Sequence, residues 1–214
     1  MEFRNFGWNA LTVSFLGTVF FTILRAWAYW KQGRAIWRQR SGQSVPVVNY
    51  TYLTVAAAAM FVYGVETESV ALIFNGSASV LFRTSIVVGL WKFKGFSRIE
   101  KILTALFIVG LAVVISIDID PRLLMAFLVG TVFVSLLQPF EIWRNRDAGV
   151  DEIRLLVVGL VNSLFWLVYA FACDDWALKL INPCFTALSL VTIVLWICYR
   201  PGRIKAGSDQ GRSS

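Results

Sequence analysis

Two asparagines stand inside long apolar runs, Asn75 in Phe74-Asn-Gly76 and Asn182 in Ile181-Asn-Pro183. An amide in hydrocarbon must find hydrogen-bond partners, so each faces either protein or a wet cavity. Gly76 and Pro183 loosen the helix beside them and free backbone groups that a cavity can satisfy. One turn on lie Ser79 and Thr186, on the same helical face as their asparagines. A third amide, Asn162, shares a face with Trp166 and Tyr169 at spacings of i, i+4 and i+7. Amides beside an aromatic ring suit a polyol, whose C–H face stacks on the ring while its hydroxyls bond the amides. The corresponding positions earlier in the chain are Ala56, Met60 and Tyr63. The plainer reading is that the asparagines knit helices together, as polar groups in membranes often do. Their recurrence in two similar segments favours a shared central site.

Bond-making chemistry is poorly supplied. The chain has no histidine, three cysteines (Cys173, Cys184 and Cys198) and no Gly-rich phosphate loop. An odd cysteine count within apolar runs argues against a disulfide framework, and nothing here suggests a metal site, a cofactor or an ATP-driven pump. The expectation is a protein that is not an enzyme.

The elements that carry these residues are membrane spans. Of the 214 residues, 57% are hydrophobic and 15% charged, with a mean hydropathy of +0.67; soluble domains carry nearer a quarter charged. A span needs about 20 apolar residues. Seven runs approach this, at about 9–30, 46–65, 70–91, 102–117, 123–143, 153–172 and 176–199. The first is too long for a signal peptide, carries Arg25 in its middle and lacks a small-residue cleavage site.

The net charge of +7 is a topology signal rather than a nucleic-acid site. Lys31, Arg34, Arg38 and Arg40 follow span one, and Lys92, Lys94, Arg98 and Lys101 follow span three. Arg144, Arg146 and Arg154 follow span five, while Arg200, Arg203, Lys205 and Arg212 follow span seven. These are 15 of the 20 Lys and Arg. The alternate connections hold Glu66, Glu68, Asp118, Asp120, Asp174 and Asp175, with only Arg4, Arg122 and Lys179 as cations. The positive-inside rule then puts the N-terminus outside and the C-terminus in the cytoplasm, in a plasma or inner membrane.

The spans repeat. Gly17 to Trp30 returns as Gly130 to Trp143 at an offset of 113, and Trp37 to Arg40 returns as Trp143 to Arg146 at 106. The first copy therefore carries seven extra residues near Lys31 to Trp37, read as part of a connecting loop. Val62-Tyr63 answers Val168-Tyr169, and Asn75-Gly76 answers Asn182-Pro183. The expected architecture is an all-α integral membrane protein of seven transmembrane helices in a 3+1+3 plan. Residues 1–95 form the first three-helix repeat, 96–120 a linker helix, 121–200 the second repeat and 201–214 a disordered tail. One extra crossing makes the repeats parallel, related by an axis along the membrane normal.

Two charges lie within spans. Arg25 and Arg83 each need a cavity, a partner or a route to an interface; Glu141 is a candidate partner, and a structural or gating ion pair is favoured over substrate binding. Pro139, after Gln138, removes a backbone hydrogen bond and offers a bend point in span five.

The duplicated triplets, the segment from Pro139 to Arg146, Trp166-Leu-Val-Tyr169 and the Asn-Gly and Asn-Pro pairs together resemble the SWEET sugar transporters, within the wider PQ-loop and SemiSWEET group. Parallel repeats are already established for that family. The resemblance implies a sugar held by Asn75 and Asn182 with Met60 and Trp166, helix-bending prolines in spans one, two, five and six, and association as trimers. Here Pro139 matches the span-five proline, Ala26 replaces the one in span one, Pro46 lies near the start of span two, and Arg154 stands near the expected place in span six. The expected function is facilitative transport (uniport) of a small sugar by alternating access, with the lipid bilayer as the other partner. The alternatives are a proton-coupled exporter of amino acids or another small solute, for which Glu141 is the carboxylate, and a seven-helix receptor that moves nothing.

Overall fold

The computed structural model of the protein describes residues 7–42, 45–116, 124–146 and 153–199. These residues form seven helices: α1 (Ala10–Gln39), α2 (Val47–Glu66), α3 (Val70–Phe93), α4 (Arg98–Ser116), α5 (Leu124–Asn145), α6 (Ile153–Ala172) and α7 (Trp176–Tyr199). No strand occurs among the described residues. Six of the helices are long and apolar enough to cross a bilayer, and α6 holds the further apolar stretch Leu156–Ala172. Large apolar side chains stay exposed along every helix, among them Leu81, Ile99, Phe133 and Leu180. That pattern fits a surface solvated by lipid, where no hydrophobic effect drives such groups inward. The expected tail, 201–214, and the acidic connection at Asp118 and Asp120 lie outside the described residues.

The helix ends follow from local chemistry. Asn9 caps α1 by accepting from the Thr12 N–H at 2.8 Å, and Ser69 caps α3 by accepting from Leu72 N–H at 3.3 Å. Asp175 Oδ1 takes the N–H groups of Ala177 and Leu178 at the start of α7, both at 2.9 Å. Such caps satisfy amides that have no intrahelical acceptor.

The backbone repeats more faithfully than the sequence. Among the described residues, the non-glycine ones in the left-handed region are Arg40 (φ 49°), Glu68 (φ 53°), Arg146 (φ 50°) and Asp174 (φ 59°). They fall into two pairs, Arg40 with Arg146 and Glu68 with Asp174, each separated by 106 residues. Left-handed residues end helices by turning the chain out of the αR spiral. Helices α2 and α6 both have 20 residues, α3 and α7 both have 24, and each second copy begins 106 residues after the first.

Helix α1 corrects the sequence reading. The seven additional residues near Lys31 to Trp37 are helical, so α1 runs for 30 residues where α5 has 22. Seven residues are close to two full turns, so the insertion lengthens the helix while keeping its face. The face is set by packing. Ile36 is buried with Val47, Ile86 and Leu90, against which Tyr29, Tyr50 and Phe93 lie. A Cβ on Gly33 would come within 3.3 Å of Ser85 Oγ, and the Trp37 indole N–H donates to the Ser85 carbonyl at 3.0 Å. The polar residues that made this stretch look like a loop occupy the other face.

The chain divides into two compact units, Met1–Thr131 and Val132–Ser214, with the division inside α5. In the first, α3 packs along both α1 and α2, and α4 lies against α2 with none of its own residues buried. In the second, α6 packs along α7. The α2–α3 seam is a backbone contact: a Cβ on Gly64 would meet Ile73 N at 2.7 Å, and one on Gly76 would meet Phe61 N at 2.6 Å. At the same register α6 and α7 carry Ala170 and Asn182, both buried side chains.

Candidate functional site

In the first triplet Asn75 is buried on α3. Its Nδ2 donates to Met60 Sδ on α2 at 3.3 Å, while its Oδ1 accepts from the Thr22 hydroxyl on α1 at 3.3 Å and from Ser79 at 3.5 Å. One amide thus ties all three helices of the triplet together. The close approach at Gly76 brings α2 within reach of it. Thr22 was not singled out from the sequence, although a hydroxyl in the apolar run from Phe15 to Leu24 was the available signal.

In the second triplet Asn182 Nδ2 donates to the Trp166 carbonyl on α6 at 3.2 Å. Thr186 donates one turn later toward the carbonyls of Asn182, at 3.0 Å, and Ser163, at 3.4 Å. The Trp166 and Tyr169 rings meet edge to face, 5.6 Å apart, and both are buried. Asn162 is also buried, and its Oδ1 has no hydrogen-bond partner among the described residues. A buried acceptor without a donor costs about 1–3 kcal/mol, so a hydroxyl offered there is favoured. The structure therefore assembles Asn162, Trp166, Tyr169, Asn182 and Thr186 on α6 and α7, and Met60, Asn75 and Ser79 on α2 and α3. Tyr63 is buried one turn from Met60.

The two amides differ by one position in structural register. Asn75 lies six residues after its cap, Ser69, whereas Asn182 lies seven after Asp175. At the backbone offset of 106, Asn182 answers Gly76 and Ile181 answers Asn75. All four are buried, because the inward face of each helix is wide enough to hold both positions.

Arg83 is 6% exposed in the first triplet. One guanidinium nitrogen donates to the Leu53 carbonyl at 2.7 Å, and another donates to the Tyr29 hydroxyl. The guanidinium also sits 4.5 Å from the centre of the Tyr29 ring. Arg25, exposed on α1, donates to the same hydroxyl at 3.3 Å, and Tyr50 donates to Gln32 nearby at 2.6 Å. Within this triplet the partners of Arg83 are therefore a carbonyl and a phenol rather than a carboxylate. Tyr29, four residues after Arg25, was missed because tyrosines are common near membrane interfaces. In the second unit Glu141 and Gln138 are exposed on α5 and Pro139 is buried in the helix between them. The side chain of Arg154 is outside the described set.

Seven helices, six of them long and apolar enough to cross a bilayer, with buried amides on α3 and α7, define a multi-pass helical membrane fold. A family model described as a sugar efflux transporter for intercellular exchange matches residues 123–203, which contain the second triplet. A solved structure of a eukaryotic SWEET transporter at 3.7 Å resolution is similar in fold. Its TM-score is 0.73 at 15% identity, over 89% of this chain and 96% of that one. A comparison with curated proteins gave no match. The second triplet is thus similar in sequence to that family, and the fold of the chain is similar to that of a SWEET transporter.

Proposed function

We propose that this protein is a uniporter that carries a small sugar across the membrane by alternating access. The observation that carries the reading is that each triplet holds a buried asparagine bonded to the residue at the matching place on its neighbouring helix, Met60 in one and Trp166 in the other. The sugar-efflux description of the matched family supports the substrate class.

In this proposal the sugar is held by the buried amides near the midplane of the membrane. Asn75, Asn182 and Asn162 bond its hydroxyls, Trp166 stacks on its C–H face, Met60 supplies an adaptable apolar wall, and Ser79 and Thr186 extend the polar rim. Pro139 and Gln138 form the bend of α5, and Tyr63 and Tyr169 line the path toward the acidic ends of their triplets. Arg25, Arg83 and Glu141 act at the basic, cytoplasmic end as gate or brace. The N-terminus lies outside, and the protein assembles as a trimer. No coupling ion or ATP is needed.

The test is counterflow of labelled mono- and disaccharides in proteoliposomes. Trans-accelerated uptake of at least one sugar is expected. Binding without counterflow across the panel would make the protein a receptor and overturn the proposal.

A further inference from the structure

Side chains of α1 and α3 in the first triplet line an apolar groove of about 710 Å³. Its walls include Trp27, Trp30, Ala78 and Leu81. On α3 it runs from Phe74 to Phe82, about 12 Å at the rise of a helix. Trp27 and Leu81 are more than half exposed. The groove lies within one compact unit, so its shape does not depend on the other triplet.

The groove has cations at one end. Lys31 Nζ lies 3.6 Å from the centre of the Trp27 ring, and the Arg34 guanidinium lies 5.4 Å from that of Trp30. Both cations are exposed, and neither pairs with a carboxylate among the described residues. They owe their position to the two added turns of α1, which continue the helix past the groove and hold Lys31 and Arg34 in register below its aromatic walls.

An apolar groove along membrane helices, with two cations beside the aromatic rings at one end, matches a molecule with a long apolar chain and an anionic head. We infer that the α1–α3 groove binds an anionic phospholipid, an acyl chain lying against Trp27, Trp30 and Leu81 and the headgroup phosphate held by Lys31 and Arg34. Aromatic residues favour the depth of the glycerol backbone, and basic residues favour anionic headgroups just beyond it. A zwitterionic lipid would fill the channel equally well but would gain less from the cations. The inference rests on the membrane-spanning fold and is independent of the sugar proposal.

Native mass spectrometry of the full chain in mild detergent, with phosphatidylglycerol and phosphatidylcholine of identical acyl chains at equal concentration, tests it. The wild type is expected to retain the anionic lipid over the zwitterionic one by roughly tenfold, with the preference shrinking at high ionic strength. K31Q/R34Q changes only exposed side chains, so the protein still folds, and it is expected to reduce the preference to about twofold or less. A78W, which fills the channel, is expected to lower retention of both lipids. Equal retention of the two lipids by the wild type, or an unchanged preference in K31Q/R34Q, would overturn the site. So would equal competition by soluble glycerol phosphate, which would mark a free-phosphate site. Loss of oligomers in A78W with lipid retention intact would assign the groove to a second copy of the chain instead.

Discussion

Asn182 Nδ2 donates to the carbonyl of Trp166 at 3.2 Å, and the counterpart in the first triplet, Asn75, donates through the same atom to Met60 Sδ at 3.3 Å. The second helix of each triplet is thus fixed to the third through an amide. The chemistry differs between copies: a soft thioether accepts in one and a backbone carbonyl in the other. Because the carbonyl is backbone, changing the Trp166 side chain leaves that bond in place while removing the ring.

This separates binding from stability. An interhelical hydrogen bond within a membrane contributes about 0.6 kcal/mol on average and up to about 1.7 kcal/mol. Asn182→Ala and Asn75→Ala are therefore expected to lower the melting temperature modestly and to reduce sugar counterflow by more than about tenfold, as loss of a bidentate polar contact would. Trp166→Ala should reduce counterflow while Trp166→Phe keeps part of it. Full counterflow in both asparagine variants would rule out the two amides as sugar ligands.

The glycine seam makes a second prediction. A Cβ at residue 76 would lie 2.6 Å from Phe61 N and 2.7 Å from Phe61 Cα, and backbone has little room to yield. Gly76→Ala is expected to cost about 1–3 kcal/mol, read as a lower thermal midpoint in detergent. Unchanged stability would mean that α2 and α3 separate more easily than their packing implies.

Gly130 and Tyr52 form a pair suited to a double-mutant cycle. The Tyr52 hydroxyl donates to the Phe127 carbonyl at 2.8 Å and occupies the space that a Cβ on Gly130 would need. Gly130→Ala alone should destabilise by about 1–3 kcal/mol. Combined with Tyr52→Leu, which removes the ring carbon 2.6 Å from the added Cβ as well as the hydroxyl, it should recover most of that loss, giving a coupling of about 0.5–3 kcal/mol. Strict additivity would show that the two sites do not meet.

Arg83 requires its planar fork, since separate nitrogens reach the Leu53 carbonyl and the Tyr29 hydroxyl. A lysine has one nitrogen and cannot reach both with the same geometry. Arg83→Lys is expected to cost about 1.5–3 kcal/mol, more than Tyr29→Phe, which leaves the carbonyl bond intact. Thermal melting of the two variants in one detergent gives the comparison, and equal losses would place the whole effect on the phenol.

Glu141 decides between uniport and proton coupling. It is exposed on α5, whereas a proton carrier must visit a shielded site. Sugar flux is expected to be the same with and without an imposed pH gradient, and to survive Glu141→Gln. Flux that follows the gradient and is lost in Glu141→Gln would establish coupling.

Much of the fold was legible because hydrocarbon imposes a blunt rule. A span must be apolar over about 20 residues, and its ends collect polar and basic residues. The predicted ranges 153–172 and 176–199 coincide with α6 and α7. The rule failed at Lys31 to Trp37, where polar residues suggested a loop. Those residues are helical because Gly33 and Ile36 pack against Ser85, Ile86 and Gly89 on α3. The partners of Arg83 were also out of reach, since a phenol 54 residues away and a main-chain carbonyl leave no charge pattern to read.

Duplication, membrane class and the types of the buried polar residues were written into the order of amino acids, because each depends on composition and spacing along one chain. Tertiary packing decided the rest. It joined Thr22, Met60 and Asn75 through one amide and left Asn162 Oδ1 unsatisfied. Which face of a helix meets its neighbour, and how closely, depends on glycines and side chains from separate helices meeting in space, and no local pattern along the sequence carries that information.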